Sequence, residues 1–124
     1  MTRSTNHRIG LYKLLSSLGY HVIALDYRGY GDSTGTPSEK DLVKDSQFTY
    51  EYINKWAPDS NIFIWGHSLG TGVTSHLGKI LNENNVLPKG IILESPFFNI
   101  LDEIKLHPFA KVLLNKFKID IYMR

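Results

Sequence analysis

Apolar residues recur at helical spacing in three stretches of the chain and crowd into short continuous runs in three others, and the two kinds of stretch alternate. In NHRIGLYKLLSSL, Ile9, Tyr12, Leu15 and Leu18 fall near the helical period. Gly19 follows where a left-handed C-terminal cap would sit, so the pattern predicts a helix over 6–18. YHVIALD, at 20–26, is continuously apolar and β-branched in its middle, as a strand buried on both faces of a parallel sheet would be. Behind Pro37, SEKD at 38–41 is a capping-box pattern, and Leu42, Tyr50, Ile53 and Trp56 continue a helix that stops near Ala57-Pro58. NIFIW at 61–65 reads as a second strand, and Leu69, Val73, Leu77, Ile80 and Leu81 mark a third helix. After the turn-like NENN, GIILE at 90–94 supplies a third strand. Beyond Pro96 the period loosens. LDEIKLHPFAKVLLNKF reads as two short helices broken at His107-Pro108, because proline disfavours helical geometry in the residue before it. Helices alternating with buried strands predict the α/β class with parallel pairing.

Composition narrows the chemistry without choosing it. A chain of 124 residues has the length of one small domain, which if complete would bury roughly two-thirds of its unfolded surface. A formal charge of +2 gives no reason to invoke nucleic acid or an anionic membrane. With no cysteine, disulfides, thiolate metal sites and a cysteine nucleophile are excluded. The longest apolar runs fall far below the ~18 residues of a membrane span, and the first residues lack the apolar core of a signal peptide.

Candidate chemistry concentrates in Gly66-His67-Ser68-Leu69-Gly70. The second strand leads straight into Gly66 and a helix begins straight after Ser68, the strand-turn-helix setting of a nucleophile elbow. Such a turn holds its serine in a strained conformation, and Cβ atoms at Gly66 or Gly70 are expected to collide with the neighbouring strand and helix. The helix N-terminus would add partial positive charge, and the Leu69 N–H, in its first turn, could bind a developing oxyanion. The competing reading is a glycine-bracketed turn that only packs.

HRIGLYKLLSSLGYHVIALDYRGYGDSTGTPSE, IFIWGHSLGTGV and GIILESPFFNI together resemble successive blocks of the α/β-hydrolase-domain lipases that cleave monoacylglycerols and lysophosphatidylserine, serine hydrolases of the endoplasmic reticulum membrane. The likeness covers most of residues 7–117; 118–124 depart from it and read as a non-homologous tail. It implies a single partial α/β-hydrolase domain over 1–124, in which the three strands are the fourth, fifth and sixth of eight. N- and C-terminal parts of the fold are then missing. Ser68 becomes the nucleophile and Leu69 a backbone oxyanion donor within the elbow of Gly66, His67 and Gly70. The substrate is a lipid ester, with no metal or cofactor. Membrane association of the full-length protein is expected to come through segments absent here. The catalytic acid, the histidine and the oxyanion loop before the first helix fall outside the chain, so these residues alone are expected to be inactive. Two readings stay open beside this one: a non-catalytic α/β module, and a serine peptidase on the same fold.

Residues inside the chain offer weak substitutes for the missing partners. The His67 side chain should point away from the Ser68 hydroxyl, and His76 lies two helical turns after Ser68, beyond hydrogen-bond reach. His107 falls in the loosest region. Glu94 is the best substitute acid, because it ends the third strand at the carboxyl edge, where open α/β sheets place their chemistry. The resemblance puts the acid one strand later and leaves Glu94 to order the adjacent loop. DYRGYGDS suggests a dinucleotide loop, but it lacks the third glycine and Pro37 interrupts before the helix. Tyr27, Tyr30, Phe97 and Phe98 could line an acyl pocket or simply pack.

Overall fold

The structure, a computed structural model, describes residues 8–96, and the chain divides into two compact units, Met1–Pro37 and Ser38–Arg124. The helices expected within 101–117, His107, and the pocket aromatics Phe97 and Phe98 lie outside the described residues.

In the first unit, α1 spans Ile9–Ser17. Gly19 takes φ +87°, and its N–H donates to Ser16 O at 3.0 Å while the Tyr20 N–H donates to Leu15 O at 3.2 Å. That pair of bonds closes the helix with carbonyls that would otherwise lack partners. The expected strand at 20–26 is not formed, since these residues join no sheet. Strand geometry is held by a ladder partner, and with none the apolar run stays uncovered, Ile23 being 52% exposed. The following segment folds on itself: Tyr30 N–H to Tyr27 O at 2.9 Å, Ser33 N–H to Tyr30 O at 2.9 Å, and the Ser33 hydroxyl to Asp26 O at 2.7 Å. Tyr27 and Tyr30 meet edge to face at 6.4 Å. Burial, then the neighbouring Tyr27, pushes the Tyr30 phenol up to about 12.

The second unit carries α2 (Glu39–Trp56), β1 (Phe63–His67), α3 (Leu69–Glu83) and β2 (Gly90–Glu94). α2 starts as its capping pattern requires. Ser38 is extended, its hydroxyl accepts the Asp41 N–H at 3.2 Å and donates to the Asp41 carboxylate at 2.6 Å, and Glu39 and Asp41 sit in the first turn. β1 and β2 pair in parallel from Phe63↔Gly90 to His67↔Glu94. β1 begins two residues later than the apolar run suggests, because the register with β2 opens at Phe63. Ile62 just before it still accepts the Lys89 N–H at 2.7 Å.

Strand alternation gives the two-stranded sheet two unlike faces. Ile62 and Ile64 pack against Tyr50 of α2 and Leu77 and Leu81 of α3. Trp65 and His67 occupy the other face, with Glu94. Among the described residues the buried apolar side chains are Leu42, Val43, Tyr50, Val73, Leu77 and Leu81, so every one of these comes from α2 or α3. β2 contributes none: Ile91, Ile92 and Leu93 are 41%, 40% and 41% exposed. Ile91 reaches α3, its Cδ1 lying 2.8 Å from where a Cβ on Gly78 would sit. Among the described residues no helix is long and apolar enough to cross a membrane.

Candidate active site

Ser68 is the one residue between the end of β1 and the start of α3, and it holds φ 51° and ψ −117°. A non-glycine residue there is strained by about 1–3 kcal/mol, so its surroundings must hold it. They do so from both sides of the peptide. The Ser68 N–H donates to Glu94 O on β2 at 3.0 Å. The Ser68 carbonyl accepts both the Thr71 N–H at 2.9 Å and the Thr71 hydroxyl at 2.6 Å. Thr71 is 3% exposed, so these bonds are shielded from water. Three hydrogen bonds at about 0.5–1.5 kcal/mol each are enough to offset the strain.

The two glycines of the pentapeptide are not equivalent. A Cβ built on Gly66 would lie 2.5 Å from Gly70 O and 2.6 Å from the Thr74 hydroxyl oxygen, against the first two turns of α3. A Cβ on Gly70 would meet nothing within 4 Å among the described residues. The expectation that both positions exclude a side chain is therefore corrected. Gly66 lies beneath the helix on the packed face of the sheet, whereas Gly70 has open space at its Cβ position. Ser68 itself is partly exposed. α3 has no acidic residue in its first turn, leaving the partial positive charge of its N-terminus uncompensated by its own side chains.

At the same edge of the sheet, the Trp65 indole N–H donates to Glu94 Oε2 at 2.9 Å, and His67 Nε2 lies 4.0 Å from Glu94 Oε1. His67 is thus turned toward β2, on the face opposite α3. His76 pairs with Glu39 across the α2–α3 surface at 3.4 Å. The structure brings Ser68, Leu69 and Glu94 to the carboxyl ends of the two strands, and it engages His67 and His76 elsewhere. Thr71 and Trp65 escaped the sequence reading. Thr71 carried a signal, since a threonine three residues after a helix-capping position can bond back to that residue's carbonyl. Trp65 carried none, because its partner depends on the register of β2. A shallow depression lined by Asn54, Ser60, Asn61, Pro88 and Lys89 lies at the amino ends of the strands, away from Ser68.

A family profile described as serine aminopeptidase, S33, matches residues 5–123. The chain belongs to this family. The resemblance drawn from the residues is borne out at that level, and the alternating helices and parallel strands are part of an α/β-hydrolase fold. Among curated relatives, the lysophosphatidylserine lipase ABHD12 of Rattus norvegicus is 51% identical over 111 residues, which is 90% of this chain and 28% of that protein. The protein of the same name from Danio rerio is 51% identical over 111 residues, 29% of its length. Protein ABHD12B of Homo sapiens is 41% identical over 113 residues, 31% of its length. The S33-family segment described here therefore spans under a third of the relatives it matches. No solved structure matches the chain significantly.

Proposed function

We propose that Ser68 is the nucleophile of a carboxylic ester hydrolase that acts on monoacylglycerol or lysophospholipid acyl esters, lysophosphatidylserine among them. The observation that carries the reading is the backbone of Ser68, held at positive φ between β1 and α3 over a glycine that no side chain could replace without moving the helix. The substrate class is supported by the lysophosphatidylserine lipases to which the chain is similar. In the reaction, Ser68 Oγ bonds to the ester carbonyl carbon as its proton passes to a histidine base. The alcohol leaves with that proton, and water then releases the fatty acid from the acyl-enzyme. The Ser68 N–H is engaged by Glu94 O, so the Leu69 N–H at the head of α3 is the oxyanion donor this segment offers. The base and its acid partner are supplied by sequence outside these residues, and the endoplasmic reticulum membrane is the site of action.

The test is labelling by a fluorophosphonate probe in the longest product of the gene. Ser68→Ala removes the label with expression unchanged, and persistent labelling places the nucleophile elsewhere. Incubation with lysophosphatidylserine and monoacylglycerol releases fatty acid. Cleavage of a peptide with no fatty acid released would instead favour the peptidase that the family's description names.

A further inference from the structure

We infer that Glu94 is a positioning residue for the Ser68 elbow, acting through Trp65 and through its own backbone carbonyl. The inference rests on the reading of Ser68 as nucleophile and concerns how that serine is aimed.

Three ties converge on Glu94. Its carbonyl accepts the Ser68 N–H at 3.0 Å, its Oε2 accepts the Trp65 indole N–H at 2.9 Å, and its Oε1 faces His67 Nε2 at 4.0 Å. Trp65 and His67 are alternate residues of β1 and so share a face, and they lie three residues and one residue before the strained serine. Trp65 is paired in register with Ile92, so its indole reaches diagonally along β2 to Glu94. One side chain at the last paired position of β2 thus grips the end of β1 from the face opposite α3. Gly66 presses against α3 from the other side. The last turn of β1 is clamped between a helix and a carboxylate, and Ser68 emerges from that clamp.

The clamp is better suited to geometry than to stability. Trp65 is 41% exposed and the Glu94 and His67 side chains are 39% and 37% exposed. Polar contacts this wet add little to the folding equilibrium. They still restrict where the strand end points, and a nucleophile misplaced by an ångström loses rate far out of proportion to any loss of stability. A residue that only stabilised the sheet would show the reverse balance.

The experiment compares Glu94→Ala, Glu94→Gln, Trp65→Phe and the Glu94→Ala/Trp65→Phe double variant in the longest product of the gene. It follows the rate constant of fluorophosphonate labelling, kcat and KM on a long-chain acyl ester, and the urea midpoint. Glu94→Ala and Trp65→Phe are each expected to slow labelling and kcat on the order of tenfold or more, with KM and the midpoint little changed. Glu94→Gln recovers most of the rate, because its amide oxygen still accepts the indole N–H. The double variant is no slower than Glu94→Ala, because that change already removes the partner of the indole N–H. Unchanged rates in Glu94→Ala, or a glutamine variant as slow as the alanine variant, overturn the inference. Should Glu94→Ala fail to fold, Trp65→Phe keeps an aromatic ring on β1 while losing the pyrrole half of the indole with its N–H, and an unchanged rate there overturns it equally. Labelling that survives Ser68→Ala removes the nucleophile and this inference together. Loss of label in Ser68→Ala with no effect at Glu94 or Trp65 removes this inference alone.

Discussion

Adding one methyl group to each glycine of the elbow should separate the two positions. In Gly66→Ala the new carbon would sit 2.5 Å from Gly70 O, 2.8 Å from Gly70 C and 2.6 Å from the Thr74 hydroxyl oxygen. Two of those atoms are backbone, so no rotamer change relieves the contact, and the first turn of α3 must retreat by most of an ångström. Val73, Leu77 and Leu81 are buried on that helix and lose contact as it moves. Overpacking of this kind costs about 1–3 kcal/mol. With a urea dependence of about 1–3 kcal/mol per molar, the unfolding midpoint should fall by on the order of 1 M. Because α3 begins at Leu69, Ser68 moves with it, and fluorophosphonate labelling should slow by a factor on the order of 10–100. Gly70→Ala meets nothing within 4 Å and exchanges a flexible helix residue for a better helix former. It should be neutral or stabilising by up to about 1 kcal/mol, with labelling retained. Both variants are measured in the longest product of the gene by urea unfolding and labelling rate. A silent Gly66→Ala, or a Gly70→Ala as damaging as Gly66→Ala, would refute the steric argument.

Three further outcomes are expected. The Tyr30 phenol should ionise near pH 12 rather than at its ordinary 10.0, raised first by burial and then by Tyr27. Since the folded state retains a proton that the unfolded state has released, Tyr30's contribution to stability is complete below about pH 10 and is lost as pH rises toward 12. Near-ultraviolet titration of wild type against Tyr30→Phe checks this, and identical curves would contradict it. Ser38→Ala removes the acceptor of the Asp41 N–H and should lower stability by about 0.5–2 kcal/mol, while Ser38→Asp should retain most of it. Urea midpoints of the two variants decide the point. Residues 1–124 purified alone should hydrolyse no ester and show no cooperative thermal transition, because Phe63, Trp65, Ile91, Ile92 and Leu93 remain at least 40% exposed. A sharp transition with dispersed amide resonances would contradict the folding half.

Elements fixed by local chemistry were legible in the sequence. Gly19 marked the end of α1 because few other residues take φ +87° cheaply. Ser38 marked the start of α2 because its hydroxyl and the Asp41 N–H lie within one turn of each other. GIILE gave β2 at its observed bounds. The failures are non-local. Residues 20–26 have strand composition but join no sheet, since composition supplies propensity while only a neighbour supplies ladder bonds. At the candidate site, the glycine-x-serine-x-glycine spacing located Ser68 but overstated Gly70, because the space above a glycine depends on where the helix axis runs. The tie from Trp65 to Glu94 spans 29 positions and follows from register, which a one-dimensional pattern does not carry.

Among the described residues, the confinement of the buried apolar side chains to α2 and α3 sets an order of events as the chain leaves the ribosome. By the time Glu83 has emerged, Leu42, Val43, Tyr50, Val73, Leu77 and Leu81 are all available to collapse together. β2 is still inside. At ~5–20 residues per second, Glu94 follows ~0.5–2 s later, and during that interval the edge of β1 that pairs with β2 is bare, a state open to pairing with other chains. The carbonyl that holds the Ser68 N–H arrives with the last residue of β2. The strained turn is therefore set only after the apolar residues of the helix pair are all available, and a ribosome that stalls before Glu94 would display a collapsed helix pair whose serine has not yet been drawn to positive φ.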